Sequence, residues 1–242
     1  MSRTLVIGDV HGALKALKEI LEKAEIKPED QVIFLGDYVD GWSDSAKTID
    51  FLIDLKERQN CIILKGNHDD LILNWLNTGN TNPKWLQHGG KNTIEAYDDI
   101  NKTHKRIHAD FIENLPHYHV DRKNRLFVHA GFANLHGPEY EFYKNTVYWD
   151  RTLWEMALAT NPKLDQDDPK YPKRLKLFKE IYIGHTPTNR YNQHTPMQAQ
   201  NVYNIDTAAA YKGPLTIFDV DTKHFWQSTP VYKLYPGENG RN

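Results

Sequence analysis

The chain of 242 residues is long enough to bury a sizeable core, either as one large α/β domain or as two small ones. Its 39% apolar and 26% charged residues are typical of a globular protein, and a formal charge of −2 predicts no strong attraction to nucleic acid or to an anionic membrane. The single cysteine, Cys61, excludes an internal disulfide and a cysteine-based zinc site. Because the sequence shows no signal peptide and no stretch of about 20 apolar residues, we expect a cytoplasmic protein.

The first third of the chain repeats a strand–loop–helix pattern three times. Apolar runs at 5–7, 31–35 and 61–64 each lead into a polar loop that contains glycine, and helical spacing of apolar residues follows. This pattern favours parallel strands joined by helical crossovers, in a sheet that is buried on both faces. Ligands bind such sheets at the carboxyl ends of the strands, which is where the three polar loops lie.

The rest of the chain continues the same architecture with interruptions. Residues 75–118 indicate a helical insertion, and apolar runs at 126–128 and 181–183 predict two more strands, each followed by a loop with a histidine. Residues 202–206 and 215–220 alternate as two strands paired with each other would. Prolines and acidic residues predict a flexible loop at 160–173. We expect a single domain over residues 1–235 and a frayed tail at 236–242.

Metal-ligand side chains follow five of the predicted strands. They are Asp9, His11, Asp37, Asn67, His129 and His185. Each alone could be an ordinary turn or loop residue, but together they form a carboxylate, amide and imidazole set that suits manganese, iron or zinc. Two metals about 3.5–4 Å apart need a ligand that reaches both, and a carboxylate can do so where an imidazole cannot. Asp37, the lone carboxylate after the glycine that ends the second strand, is the candidate bridge.

Five motifs resemble the ordered signature of the calcineurin-like metallophosphoesterases. They are GDVHG (8–12), GDYVD (36–40), GNHD (66–69), VHAG (128–131) and GHT (184–186). The resemblance covers residues 4–220 and is strongest to the phosphoprotein-phosphatase branch in its bacterial and phage form, a branch that also contains diadenosine-tetraphosphate hydrolases. It implies a two-sheet α/β/β/α sandwich with two divalent metals at one end of the sheets. Manganese is the expected metal, and iron, zinc, nickel or cobalt would also fit.

The resemblance also implies a role for each residue of the site. One metal would be held by Asp9, His11 and Asp37 and the other by Asp37, Asn67, His129 and His185. A hydroxide that bridges both metals would attack phosphorus in line. His68 would protonate the leaving oxygen, and Asp40 would orient His68 and favour its protonated form. Arg151 and Asn67 would contact the substrate phosphate.

The sequence departs from the family pattern directly after Asp40. The phosphatase branch normally has a phosphate-binding arginine there, whereas this chain has Gly41 and Trp42. The Trp42 indole could stack on a ligand or fill space. The third motif ends in Asp69, as in the diadenosine-tetraphosphate hydrolases, whereas Asp40 is typical of the protein phosphatases.

Three functional hypotheses follow from these residues. The main one is a phosphomonoesterase that acts on phosphoproteins or small phosphoesters, because the ligand set is accompanied by His68 and Asp40. The alternative is a hydrolase of dinucleoside polyphosphates, because Asp69 is present and Gly41 replaces the arginine. A non-catalytic binding domain would have lost a ligand or the acid, and none is lost. The sequence predicts no nucleic-acid or membrane partner and does not indicate an oligomeric state.

Overall fold

The computed structural model describes residues 2–241 of the chain. Within that range the strands are β1 (Thr4–Ile7), β2 (Gln31–Phe34), β3 (Asn60–Ile63), β4 (Tyr118–Val120), β5 (Arg125–Val128), β6 (Glu180–Ile183), β7 (Met197–Ala199), β8 (Val202–Asn204), β9 (Thr216–Asp219) and β10 (Phe225–Gln227). The α-helices are α1 (Leu14–Lys23), α2 (Ser45–Arg58), α3 (Asn67–Thr78), α4 (Pro83–Trp85), α5 (Lys91–Ala96), α6 (Lys102–Glu113), α7 (Thr146–Trp149), α8 (Thr152–Ala159), α9 (Lys173–Lys176) and α10 (Val231–Leu234). No helix in residues 2–241 combines the length and apolarity needed to cross a bilayer.

The strands form two five-stranded sheets, ordered β10-β9-β1-β2-β3 and β4-β5-β6-β8-β7. As predicted, β1, β2 and β3 are parallel. Alternate residues of the strands face opposite sides, so Val6 packs against Phe127 and Tyr182 between the sheets while Leu5 and Ile7 pack with the residues of α1 and α2. On the far side, β5 and β6 pack with α8. The predicted two-sheet α/β/β/α sandwich is confirmed.

Strand pairing differs from the prediction at the end of the chain. The segments 202–206 and 215–220 are not paired with each other: β8 pairs with β6 and β7, and β9 pairs with β1 and β10. Alternation along a strand indicates which face each side chain takes but does not identify the neighbouring strand. The sequence also missed β4, β7 and β10, since three residues are too few to show a period.

The two predicted interruptions lie in connections between strands: the first links the two sheets, and the second links β5 and β6 of the second sheet. Residues 75–118 contain the end of α3, then α4, α5 and α6, with a π-helical segment (Leu86–Gly90) at the glycine pair. Gly89 has φ +102°, and this left-handed backbone breaks the helix. Residues 160–172 lie outside helices and strands, and their flexibility stays a prediction.

The segment that we expected to fray instead packs against the domain as far as residue 241. The Tyr235 ring is buried and stacks on Trp42, with 5.4 Å between the ring centroids. Glu238 accepts hydrogen bonds from the backbone N–H of Ser43 at 2.9 Å and from its hydroxyl at 2.7 Å. Burial of a large aromatic ring and hydrogen bonds to a carboxylate offset the entropy lost on ordering a chain rich in Gly and Pro. Asn242 lies outside the described residues.

Candidate metal centre

The loops after β1, β2, β5 and β6 meet the start of α3 at one end of the sheets, and all six predicted ligands are buried there. None of them is more than 7% exposed. Four polar residues of these loops, His11, Asp37, Asp40 and His185, have φ between +51° and +69°. A left-handed backbone costs a residue with a side chain about 1–2 kcal/mol, and such strain concentrates at functional sites.

Asp9, His11 and Asp37 form the first group of candidate ligands. The Nε2 atom of His11 lies 3.8 Å from Asp9 Oδ2 and 3.6 Å from Asp37 Oδ2. On the other side of the ring, Nδ1 lies 2.9 Å from the carbonyl oxygen of Val39 and 2.8 Å from that of Asp40. Because Nδ1 donates to carbonyl oxygens, the lone pair of Nε2 faces the carboxylates, where a metal ion would bind it.

Asp37, Asn67, His129 and His185 form the second group. His129 Nε2 lies 3.3 Å from Asp37 Oδ2 and 3.1 Å from Asn67 Oδ1, and its Nδ1 lies 2.9 Å from the carbonyl oxygen of Leu35. The Nε2 atom of His185 is buried and has no hydrogen-bond partner among residues 2–241. A buried polar nitrogen without a partner is costly, and a metal ion at this position would satisfy it.

Asp37 lies in both groups. Its Oδ2 faces the imidazoles of His11 and His129, and its Oδ1 accepts a hydrogen bond of 2.8 Å from the backbone N–H of His68. Asp69 holds the loop in place, because its carboxylate accepts the backbone N–H groups of Asp37, Tyr38 and Gly66. The close approach of the loops also explains Gly184, where an added Cβ would collide with Asp9 Oδ1.

The electrostatics of the cluster favour a bound cation. Burial alone would lower the pKa of His129, but the charges of Asp37 and Asp9 raise it to about 9. Burial, followed by the positive charges of His129 and Arg151, holds the pKa of His185 well below its usual range. The carboxylates therefore attract positive charge into the cluster, and a divalent ion would meet the same field.

His68 begins α3 beside these groups and pairs with Asp40. Its Nδ1 lies 2.6 Å from Asp40 Oδ2, the same oxygen that accepts a hydrogen bond from Trp85 Nε1. The Thr93 hydroxyl donates to Asp40 Oδ1 at 2.6 Å, and Asp40 is fully buried. Burial lowers the pKa of His68 and outweighs the charges of Asp37 and Asp40, which act to raise it.

A pocket of about 390 Å³ opens beside the cluster. Its walls include Asp37, Asn67, His68 and His185 together with four cationic side chains, those of Lys84, Arg151, Arg190 and Arg241. Arg151 donates to the Thr186 hydroxyl at 2.9 Å, and Trp149, which is 44% exposed, also borders the pocket. The sequence singled out Arg151, but no motif pointed to Arg190 or Arg241.

Trp42 does not reach this pocket. Its side chain is fully buried, and its Nε1 donates to the carbonyl oxygen of Ala209 at 2.8 Å. One face of the indole is covered by Tyr235. Of the two roles that the sequence leaves open for Trp42, stacking on a ligand and filling space, the burial of the indole favours the second.

The sequence profile of one family, described as calcineurin-like phosphoesterase, matches residues 2–209 of the chain. The chain belongs to this family. It is therefore a metal-dependent phosphoester hydrolase, and the family implies two divalent metals. The residues of this calcineurin-like phosphoesterase fit that requirement, because two groups of carboxylate and imidazole donors meet at Asp37 and the buried Nε2 of His185 has no other partner in the described chain.

Several proteins similar to this calcineurin-like phosphoesterase carry the names of phosphatases. It is similar to the asymmetrical bis(5′-nucleosyl)-tetraphosphatase PrpE of Oceanobacillus iheyensis, with 27% identity over 237 residues that cover 91% of this chain and 89% of the relative. A crystal structure provisionally assigned as a diadenosine tetraphosphatase matches with a TM-score of 0.63 and 20% identity, covering 93% of this chain and 92% of that one. A serine/threonine phosphatase from Saccharomyces cerevisiae matches with a TM-score of 0.58 and 15% identity, covering 94% and 80%. The two structural matches show the fold alone.

Proposed function

We propose that the chain hydrolyses dinucleoside polyphosphates such as diadenosine tetraphosphate. The charge of the pocket carries this proposal, because Lys84, Arg151, Arg190 and Arg241 line it while Asp37 is its one carboxylate within the described residues. Within the described residues, no carboxylate forms a salt bridge with the three arginines of the pocket. The arginines that do form such pairs are Arg3, Arg106 and Arg125. A phosphomonoester carries about two negative charges. A chain of four phosphates carries about four, and it matches this pocket better.

Two further observations support a nucleotide substrate. Trp149 borders the pocket with almost half of its surface exposed, and an exposed aromatic face is suited to stacking on a base. The relative from Oceanobacillus iheyensis, which aligns over most of both chains, carries the name of a dinucleoside tetraphosphatase. We therefore favour the alternative hypothesis from the sequence, a hydrolase of dinucleoside polyphosphates, over the main hypothesis of a phosphomonoesterase.

The residue roles are part of the same proposal. We assign Asp9, His11 and Asp37 to one metal and Asp37, Asn67, His129 and His185 to the other, with manganese as the expected ion. When bound, the two ions would activate water and neutralise charge on the phosphoryl oxygens. His68 would donate a proton to the leaving oxygen, Asp40 would orient the His68 ring, and Arg151 would bind a phosphate.

Product analysis of metal-reconstituted protein tests the substrate. Hydrolysis of diadenosine tetraphosphate by one water yields ATP and AMP if the split is asymmetrical, as in the name of the relative, or two ADP if it is symmetrical. Manganese, iron, zinc, nickel and cobalt are each loaded and quantified before the assay. We expect kcat/KM for diadenosine tetraphosphate to exceed that for a phosphopeptide by about 10-fold or more.

A phosphoprotein phosphatase is the second candidate. The buried pair of His68 and Asp40, 2.6 Å apart, favours it, since a strong proton donor serves the poor leaving group of a serine or threonine phosphate. Turnover of phosphopeptides that exceeds turnover of diadenosine tetraphosphate on the same metal-loaded protein would refute the first candidate and support this one.

A further inference from the structure

The segment 235–241 is anchored directly on the residues that replace the expected arginine motif. Trp42 stacks on Tyr235 and also packs against Gly240, where an added Cβ would lie 2.9 Å from the indole Cζ2 atom. Glu238 accepts two hydrogen bonds from Ser43. These contacts fix the direction of the chain as it approaches the pocket.

The side chain of Arg241 enters the pocket over glycine backbone. Its backbone N–H donates to the carbonyl oxygen of Ala210 at 2.9 Å. Its Cγ would lie 3.6 Å from a Cβ added at Gly41 and 3.3 Å from one added at Gly89, so the stem passes beside both glycines. Gly41 itself has φ +148°, and an added Cβ would lie 2.9 Å from the carbonyl oxygen of His11. Position 41 therefore disfavours a side chain of its own.

The head group of Arg241 lies at the metal cluster and forms no ion pair with a carboxylate of residues 2–241. Its Nη1 is 3.4 Å from His11 Nε2, and its Nε is buried with no hydrogen-bond partner among residues 2–241. Arg151 and Arg190 border the same pocket, and the pKa of Arg151 is lowered first by burial and then by the positive charge of Arg190, with a smaller contribution from Arg241. Guanidinium groups gathered in this way repel one another unless an anion lies between them.

We propose that Arg241 binds a phosphoryl group of the substrate and supplies, from the far end of the sequence, the cation that is missing after Asp40. A metal ion at His11 Nε2 would repel the guanidinium, and an anion in the pocket would then be a favourable partner for Arg241. A guanidinium fork suits the oxygens of a phosphate, with which it forms two parallel hydrogen bonds. This proposal rests on phosphoester hydrolysis and is independent of whether the substrate is a dinucleotide.

Binding of inorganic phosphate to the metal-loaded protein tests the proposal without a nucleotide. Isothermal titration calorimetry should show phosphate binding about 10- to 100-fold weaker in Arg241→Ala and partly restored in Arg241→Lys, which keeps the charge but not the fork. The inhibition constant of phosphate against p-nitrophenyl phosphate should rise by the same factor. Metal content, measured by mass spectrometry, should stay at the wild-type level.

Two further variants separate phosphate binding from other effects. Arg122→Ala removes an exposed arginine from the turn before β5, at the end of that strand opposite the metal cluster, and should leave phosphate affinity unchanged. Glu238→Gln weakens the anchor on Ser43 while it keeps Arg241, and should weaken phosphate binding by only about 2- to 5-fold. Wild-type phosphate affinity in Arg241→Ala would overturn the proposal, because Arg241 would then only balance the carboxylates of the metal-free cluster. An equal loss in Arg122→Ala would also overturn it, since the effect would be one of net charge.

Discussion

Replacement of Asp40 by asparagine isolates the contribution of its negative charge to the proposed acid, His68. The carboxylate accepts hydrogen bonds from His68 Nδ1, Trp85 Nε1 and Thr93 Oγ1, each at 2.6 Å. Asparagine keeps the shape but replaces one acceptor oxygen by a donor group. A hydrogen bond to a charged group contributes about 1.5–3 kcal/mol, so we expect kcat to fall about 10- to 100-fold.

Substrates with different leaving groups test whether the fall in kcat comes from weaker proton donation by His68. A p-nitrophenolate ion leaves with little protonation, whereas an alkoxide needs a proton in the transition state. We therefore expect the loss of kcat in Asp40→Asn to grow with the pKa of the leaving group across a series of aryl and alkyl phosphates. His68→Asn, which removes the proton donor, should show a steeper dependence and lose about 10²- to 10⁴-fold on alkyl phosphates.

A second histidine–carboxylate pair provides a matched control. Asp50 lies 2.6 Å from His104 Nε2 and 2.9 Å from His108 Nε2, and none of these three residues borders the pocket. Asp50→Asn is the same chemical change at a more exposed histidine–carboxylate cluster, and it should leave kcat unchanged for every substrate of the series. If Asp40→Asn lowers kcat by one factor for all leaving groups, the pair does not assist proton donation and the reasoning is wrong.

Three further predictions address the metals, the base and the fold. Asp37→Asn should lower the metal content from about two equivalents to about one or fewer, measured by mass spectrometry, and full occupancy would contradict the shared-ligand proposal. Trp149→Ala should raise KM for diadenosine tetraphosphate by about 10-fold and by a smaller factor for p-nitrophenyl phosphate, whereas equal factors would argue against stacking. Although burial raises the pKa of Asp30, its hydrogen bonds with Arg3 lower it from 3.8 to about 2. A carboxylate with a lowered pKa stabilises the fold above pH 3.8. Asp30→Asn should therefore lower the free energy of unfolding, measured by urea titration, by about 2 kcal/mol at pH 7 and by about half of that at pH 3. A loss that does not depend on pH would contradict this cause.

The sandwich fold and the clustering of the site could be predicted because both depend on local signals. Each of β1, β2 and β3 is an apolar run that ends in a glycine-containing polar loop, and parallel strands bring such loops to one edge. Asp9 and Asp37 therefore meet in space although 28 positions separate them. The partners of β8 and β9 could not be predicted in the same way, since pairing depends on which sheet a strand joins and not on its own alternation.

The packed segment 235–241 left no local signal. Its composition, Tyr-Pro-Gly-Glu-Asn-Gly-Arg, is that of a loop, and its contacts include Trp42 and Ser43, almost 200 positions earlier. The indole of Trp42 had two open roles in the sequence, and its burial and its stacking on Tyr235 favour packing. Arg190 was missed for the same reason, because no motif surrounds it and its place in the pocket depends on the tertiary fold.

Gly41, Trp42 and Ser43 act together as a docking surface for this segment. Gly41 lies beside the stem of Arg241, Trp42 supports Tyr235, and Ser43 binds Glu238. The second motif has Gly41 and Trp42 where the family has an arginine. These same residues thus make the contacts that can bring Arg241 to the pocket. The five motifs contribute the candidate metal ligands, whereas cations outside them surround the space where a phosphate would lie. Substitutions in residues 235–241 should therefore change substrate affinity while metal binding is retained.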